Sequence, residues 1–113
     1  MNVANINEYK EFNQEKFTKR IVFKEGGSTS FVLNFKSGQE LPAHKHPGTN
    51  VYLHVLQGKG VFTINDKETY VSKDDVLLVT GDELLSFANN SNEDVSLYVI
   101  LNKIPNEKYA ENI

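Results

Sequence analysis

The 113-residue sequence predicts an all-β domain, an antiparallel sandwich or barrel. Three observations carry this expectation. Short β-branched and aromatic runs recur along the chain. The segments between them are rich in Gly, Asn, Asp and Ser. No long stretch with helical period separates one run from the next.

The runs follow in order. Phe17–Lys24 (FTKRIVFK) is closed by Glu25-Gly26-Gly27-Ser28. In Ser30–Lys36 (SFVLNFK), Phe31, Leu33 and Phe35 alternate with Val32 and Asn34. Then come LPAHKH (41–46), VYLHVL (51–56), GVFTI (60–64), TYV (69–71), VLLV (76–79), LLSFA (84–88) and VSLYVILN (95–102). Pro47-Gly48-Thr49-Asn50, Gln57-Gly58, Asn65-Asp66, Lys73-Asp74-Asp75, Gly81-Asp82 and Asn89 to Asp94 have the composition of turns. Before the first strand, Ile6–Lys16 can place Ile6, Tyr9 and Phe12 on one side of a short helix. The expected division is an N-terminal segment 1–16, a barrel 17–102 and a C-terminal tail 103–113 that is a helical turn or frayed.

Composition removes several function classes. With no cysteine there is no disulfide, no thiolate nucleophile and no Cys-type zinc site. Twelve Lys+Arg against fifteen Asp+Glu leave no basic block, so nucleic acid is not an expected partner. The apolar runs, Val76–Val79 among them, have no more than five residues, too short for a membrane span. The polar N-terminus lacks the apolar core of a secretory signal, so a soluble cytoplasmic setting is the expectation. There is no G-x-S-x-G, P-loop or G-x-G-x-x-G pattern. Asp74-Asp75 are adjacent in a turn, and adjacent strand residues face opposite ways, so they form no acid–base dyad.

All three histidines lie between Gly38 and Gly60. His44 and His46 are two apart, the spacing that puts both rings on one face of a strand. Pro42 and Pro47 bracket them, which places the strand end at a rim rather than in a sheet interior. An H-x-H pair by itself reads as two surface histidines. Its frame is more specific. Gly38, five residues, His44, Lys45, His46, Pro47 to Asn50, then Val51 and finally Gly58 resemble the first motif of the cupin superfamily, G-x5-H-x-H-x3,4-E-x6-G. The resemblance covers roughly residues 17 to 102. It implies a cupin-like double-stranded β-helix, or jelly-roll barrel, with short helical or irregular ends and a ligand pocket between two sheets.

The motif residues that would hold a metal are incomplete. Val51 stands at the Glu position, and Asn50 would fit only the shorter spacing. The second family motif, G-x5-P-x-G-x2-H-x3-N, maps onto Asp74 to Asn89. There Asp74, Thr80, Asp82 and Leu85 replace Gly, Pro, Gly and His, and only Asn89 survives. Two ligands of four remain, His44 and His46. Asn50 and His54 are the candidates for a third, although strand parity turns His54 away if Val51 faces the pocket. Glu83 reads as a solvated loop acid. The expected cofactor is therefore none, or a weakly bound divalent transition metal.

The expected pocket is His44, His46, Val51, Leu53, Val55, Leu85 and Phe87, suited to a small molecule with one apolar end and one polar group. Three functions stay open. The first is a small-molecule-binding cupin with a degraded metal site. The second is a metal-dependent cupin enzyme of dioxygenase, isomerase or lyase type using His44 and His46. The third is a non-catalytic structural or regulatory scaffold. The resemblance also implies a homodimer, with Phe17–Phe23 as a packing or exchanging strand.

Overall fold

The computed structural model describes residues 1–104. A 3-10 turn at Ile6–Tyr9 precedes nine strands: β1 (Thr18–Glu25), β2 (Ser28–Phe35), β3 (Glu40–His44), β4 (Thr49–Gln57), β5 (Lys59–Ile64), β6 (Lys67–Ser72), β7 (Val76–Val79), β8 (Leu85–Ala88) and β9 (Val95–Lys103). They form two antiparallel sheets, β1-β2-β9-β4-β7 and β3-β8-β5-β6. Each predicted run becomes a strand. The expectation for the C-terminal tail falls mainly on 105–113, outside the described residues.

Alternation sets which side chains meet between the sheets. On the larger sheet, Leu77, Leu53, Val99 and Phe31 stand side by side across β7, β4, β9 and β2. Val55, Leu97 and Leu33 make the next row across β4, β9 and β2. The smaller sheet contributes Phe62, Val71, Leu85 and Phe87 to the same core. A chain of rings crosses the interior. Phe17 stacks on Phe35 at 5.1 Å, Phe35 meets Phe87 at 5.0 Å, and Phe87 meets Phe62 at 4.7 Å. Offset and tilted ring pairs at these distances add to the burial term.

Turn chemistry closes the hairpins where the backbone needs a left-handed residue. Asn65 and Asp66, both at positive φ, make the two-residue β5–β6 turn. Gly38 and Gly58, the two glycines of the histidine motif, have φ of +85° and +80°. At Gly58 a Cβ would also lie 2.5 Å from the Asp94 carbonyl oxygen, so both conformation and space demand glycine. Asp74 takes the first glycine's place in the second motif and adopts φ +72°, a region Asp tolerates better than most residues.

The N-terminal segment is a single 3-10 turn rather than a helix through Lys16. Its carbonyls are used elsewhere. The Asn34 side chain donates to the Tyr9 carbonyl at 2.9 Å, the Thr18 hydroxyl to the Glu11 carbonyl, and the Gln39 amide to the Asn13 carbonyl at 2.7 Å. These bonds hold the segment against the outer face of β2, which explains why Val32 and Asn34 are fully buried although they point away from the core. Asn34 also accepts from the Ser96 hydroxyl at 2.7 Å, so its buried amide is satisfied at both ends.

The middle of the outer face of the larger sheet is largely apolar. Leu78, Tyr52 and Ile100 form one cross-strand row, and Val76, His54 and Tyr98 the next. Tyr98 and Ile100 make a ridge between two grooves. One is lined by Tyr52, His54, Val76 and Leu78, the other by Phe23, Ser28 and Ser30.

Candidate functional site

A cavity of about 160 Å³ opens between the sheets beside the histidine pair. Buried Phe31, Leu33, Leu53 and Val99 make its floor, with Phe17, Leu41 and Leu101 around them. Among the described residues, Lys19, His44 and His46 are the only basic ones that line it, and no Asp or Glu does. Exposed Lys19 and the two half-buried imidazoles mark the rim.

The two rings reach this rim by different routes. His44 is the last residue of β3 and pairs with Leu85 on β8. A register shift between Leu41 and His44 turns both side chains to the cavity although they are three apart. His46 lies beyond the strand, in the loop to β4. Its N–H donates to the Gly81 carbonyl at 3.0 Å, and its own carbonyl accepts from Thr49 N–H at 3.1 Å. The rings meet edge to face with centroids 4.5 Å apart.

Their hydrogen bonding fixes chemistry. His44 Nδ1 lies 2.6 Å from the Pro42 carbonyl oxygen, which can only accept, so Nδ1 carries the proton. Nε2 is left free to accept when the ring is neutral and to donate when it is charged. His46 is held below its ordinary value of 6.5, first by partial burial, then by His44 and Lys19. The sign for stability follows. Below about 6.5 the unfolded chain takes up a proton at His46 that the folded chain resists, so stability falls slightly as pH drops through the window just under 6.5. Lys19→Met removes one of these causes, and the His46 ring then titrates at higher pH than in the parent, read from histidine ring resonances by NMR.

The other expected pocket residues divide. Leu53 lines the cavity. Val51, Val55, Leu85 and Phe87, expected on the same wall, are at most 2% exposed and pack in the closed core instead. Phe87 sits one ring further in, behind Phe35 and Phe17. Where a metal-binding cupin motif carries Glu and His, this chain has the fully buried apolar side chains of Val51 and Leu85. The wall comprises Phe31, Leu33, Val99 and Leu101, with Phe17 and Lys19 from the chain before and within β1, none of which was expected there. The alternation in SFVLNFK and VSLYVILN is visible in the sequence; the β2–β9–β4 pairing that places these residues opposite His44 is not.

The candidates for a third ligand lie elsewhere. His54 is on the outer face of β4, with Nε2 3.1 Å from Asp74 Oδ1. Asn50 pairs with Asn102 and shares the outer side with Tyr52. Glu83 is tied back to Thr80, accepting from its N–H at 2.9 Å. Asp82, in the same turn, has a lowered pKa, chiefly from the Thr80 hydroxyl at 2.6 Å. Among the described residues no three His, Asp or Glu side chains cluster as a metal would require. Two imidazoles without a third protein ligand do not fit a resident transition metal, which wants three or four.

A larger groove of about 520 Å³ lies outside the smaller sheet, among Lys59, Gly60, Tyr70, Ser72 and Asn90–Asn92. It holds none of the motif residues. The smaller cavity, between the sheets and ringed by the two imidazoles, is the better candidate.

Comparison with known proteins agrees with this architecture. TT1209 from Thermus thermophilus superposes with a TM-score of 0.86 at 20% identity, covering 93% of this chain and 100% of that one. An RmlC-like cupin protein from Desulfovibrio desulfuricans gives 0.81 at 24% identity, covering 90% of this chain and 96% of its own. The cupin domain of Schizosaccharomyces pombe Cnp3 gives 0.78 at 26% identity, covering 88% of this chain and 74% of that one. A comparison with curated protein sequences found no significant match. The family model described as Cupin domain matches residues 31–101, well over half the chain and all of β3 through β8. By that match, and by the two-sheet barrel that carries it, this chain belongs to the cupin family.

Proposed function

We propose that the protein binds a small organic molecule in the cavity beside His44 and His46, without a resident metal. The observation that carries this reading is a single cavity with an apolar floor and two half-buried imidazoles at its rim. Apolar walls supply affinity, and a few convergent polar groups fix orientation. His44 is well prepared for the second task, because its bond to Pro42 fixes which nitrogen faces outward. A metal-dependent reaction would need a further ligand, and neither Asn50 nor His54 reaches the rim.

Methyl and histidine NMR with a mixture of small apolar acids and amides tests the reading. Shifts are expected at Leu41, Leu53, Val99 and Leu101 together with both rings. Shifts confined to the Tyr70 groove, or none at all, would contradict it.

The proposal extends to a homodimer through the outer face of the larger sheet. A two-fold axis in the plane of contact, lying along the strands, sets the Tyr98–Ile100 ridge of each copy into the other's Tyr52–Leu78 groove. Five strands at ~4.8 Å and about five residues at ~3.4 Å give a footprint of roughly 400 Å², below the ~800 Å² per partner of a standard complex. The dimer is therefore weak. Light scattering should show a mass rising above 12.8 kDa with concentration. Leu78→Glu, at a position 56% exposed, should remove the rise without loss of stability. A parent protein that stays at monomer mass into the millimolar range would rule the dimer out.

A further inference from the structure

The charge of the rim limits what the cavity can hold. Among the described residues its polar groups are Lys19, His44 and His46, and no acid accompanies them. Lys19 makes no ion pair among the described residues, and its ammonium sits 4.5 Å from the centroid of the Phe31 ring, over the cavity floor. This exposed cation at an apolar rim has only water, and no carboxylate among the described residues, to balance its charge. His44 presents Nε2 to the same space, its other nitrogen being engaged with Pro42. His46 closes the third side, 4.5 Å from His44. Three nitrogens thus converge on one end of a pocket whose remaining lining is Phe, Leu and Val.

We propose that the ligand is a small monocarboxylate with a short branched or aromatic apolar body. This inference rests on the reading of the cavity as a binding site for an organic molecule and specifies its chemical class. The carboxylate takes the rim between Lys19, His44 and His46. Lys19 donates a charge-assisted hydrogen bond that compensates its loss of water, and His44 Nε2 donates to it only in the imidazolium form, which a neighbouring carboxylate favours. The hydrocarbon lies on Phe31, Leu33, Leu53 and Val99. A cavity of about 160 Å³ is about five water volumes at ~30 Å³ each, the bulk of an acid with roughly four to seven carbons. A neutral compound of the same shape leaves Lys19 unmatched. An organic cation meets the Lys19 charge and is disfavoured.

Matched pairs test the class directly: isobutyrate against isobutyramide, 3-methylbutyrate against 3-methylbutyramide, and benzoate against benzamide, each titrated calorimetrically into parent and Lys19→Met protein. The acids should bind at least tenfold more tightly than their amides. Lys19→Met should weaken the acids about tenfold and the amides far less, a difference that a merely loosened fold would not produce. His46→Gln, which keeps a donor and removes the base, should weaken the acids less than Lys19→Met. Amides that bind as well as or better than acids, or a Lys19→Met effect equal for both, would overturn the carboxylate inference while leaving an organic-ligand pocket standing. No heat and no shifted cavity resonance with any member of either set would overturn both.

Discussion

Gly81→Ala is expected to lower the unfolding free energy by about 3 kcal/mol and to move His46 off the cavity rim. Gly81 is buried, and its backbone lies flush against the loop that carries His46. A Cβ there would collide with the His46 carbonyl oxygen and would stand 2.5 Å from the Thr49 carbonyl oxygen. Both obstacles are backbone, and the loop they belong to is held by hydrogen bonds: Gly81 O accepts from His46 N–H, and His46 O accepts from Thr49 N–H. Relief by a side-chain rotation is not available, so the loop must shift. Gly48→Ala is the matched control. Gly48 has φ +75° but nothing within 4 Å of a Cβ, so only conformational strain of about 1 kcal/mol is expected. Urea unfolding of both variants measures the difference, and the His46 ring shift should move only in Gly81→Ala.

Asn89→Asp should cost about 3–4 kcal/mol at neutral pH, more than the ~2 kcal/mol expected for Asn89→Ala. Asn89 is 1% exposed, and its amide serves four groups. Nδ2 donates to the carbonyls of Phe35 at 3.2 Å and Glu93 at 2.8 Å, while Oδ1 accepts from the Ser91 N–H and hydroxyl. Its backbone adds bonds to Gly38 and Gln39, so one residue joins the β2–β3 turn to the loop before β9. Aspartate would point carboxylate oxygens at two carbonyl oxygens. Burial and those carbonyls raise its folded pKa above the unfolded ~3.9. The folded variant then binds more protons, and its deficit relative to the parent shrinks as pH falls from 7 toward 4. Unfolding at pH 7 and at pH 4.5 measures this. A deficit that is constant or larger at the lower pH would contradict the assignment of the amide orientation.

The fate of Asn89 shows what a surviving motif residue means here. It is the only position of the second motif kept in the chain, and its bonds go to backbone and a neighbouring serine rather than into the cavity. The motif glycines, Gly38 and Gly58, are likewise kept for positive φ at turns. The barrel was legible because alternation and turn residues are local signals, and nine strands rise where nine runs were read. Parity alone also put His54 on the outer side.

The cavity was only partly legible. His44, His46 and Leu53 line it, but its floor comes from β2 and β9, brought beside β4 by pairing between residues more than 40 positions apart, such as Leu53 with Val99. Positions 51 and 85, read as pocket wall from the motif, are instead sealed in the core, because Val and Leu gain more from packing than from facing an opening. The short helix expected at 6–16 was lost to competition. Asn34, Thr18 and Gln39 take its carbonyls, a long-range effect that helical periodicity cannot register.

The central claim is that two imidazoles serve an organic pocket and not a metal centre. Metal content by mass spectrometry, on protein made without a histidine tag in metal-supplemented medium and dialysed against metal-free buffer, tests it most directly. The expected result is far less than one equivalent of any transition metal per chain, unchanged in a His44→Ala, His46→Ala double variant. One equivalent that survives dialysis in the parent and vanishes in the double variant would contradict it.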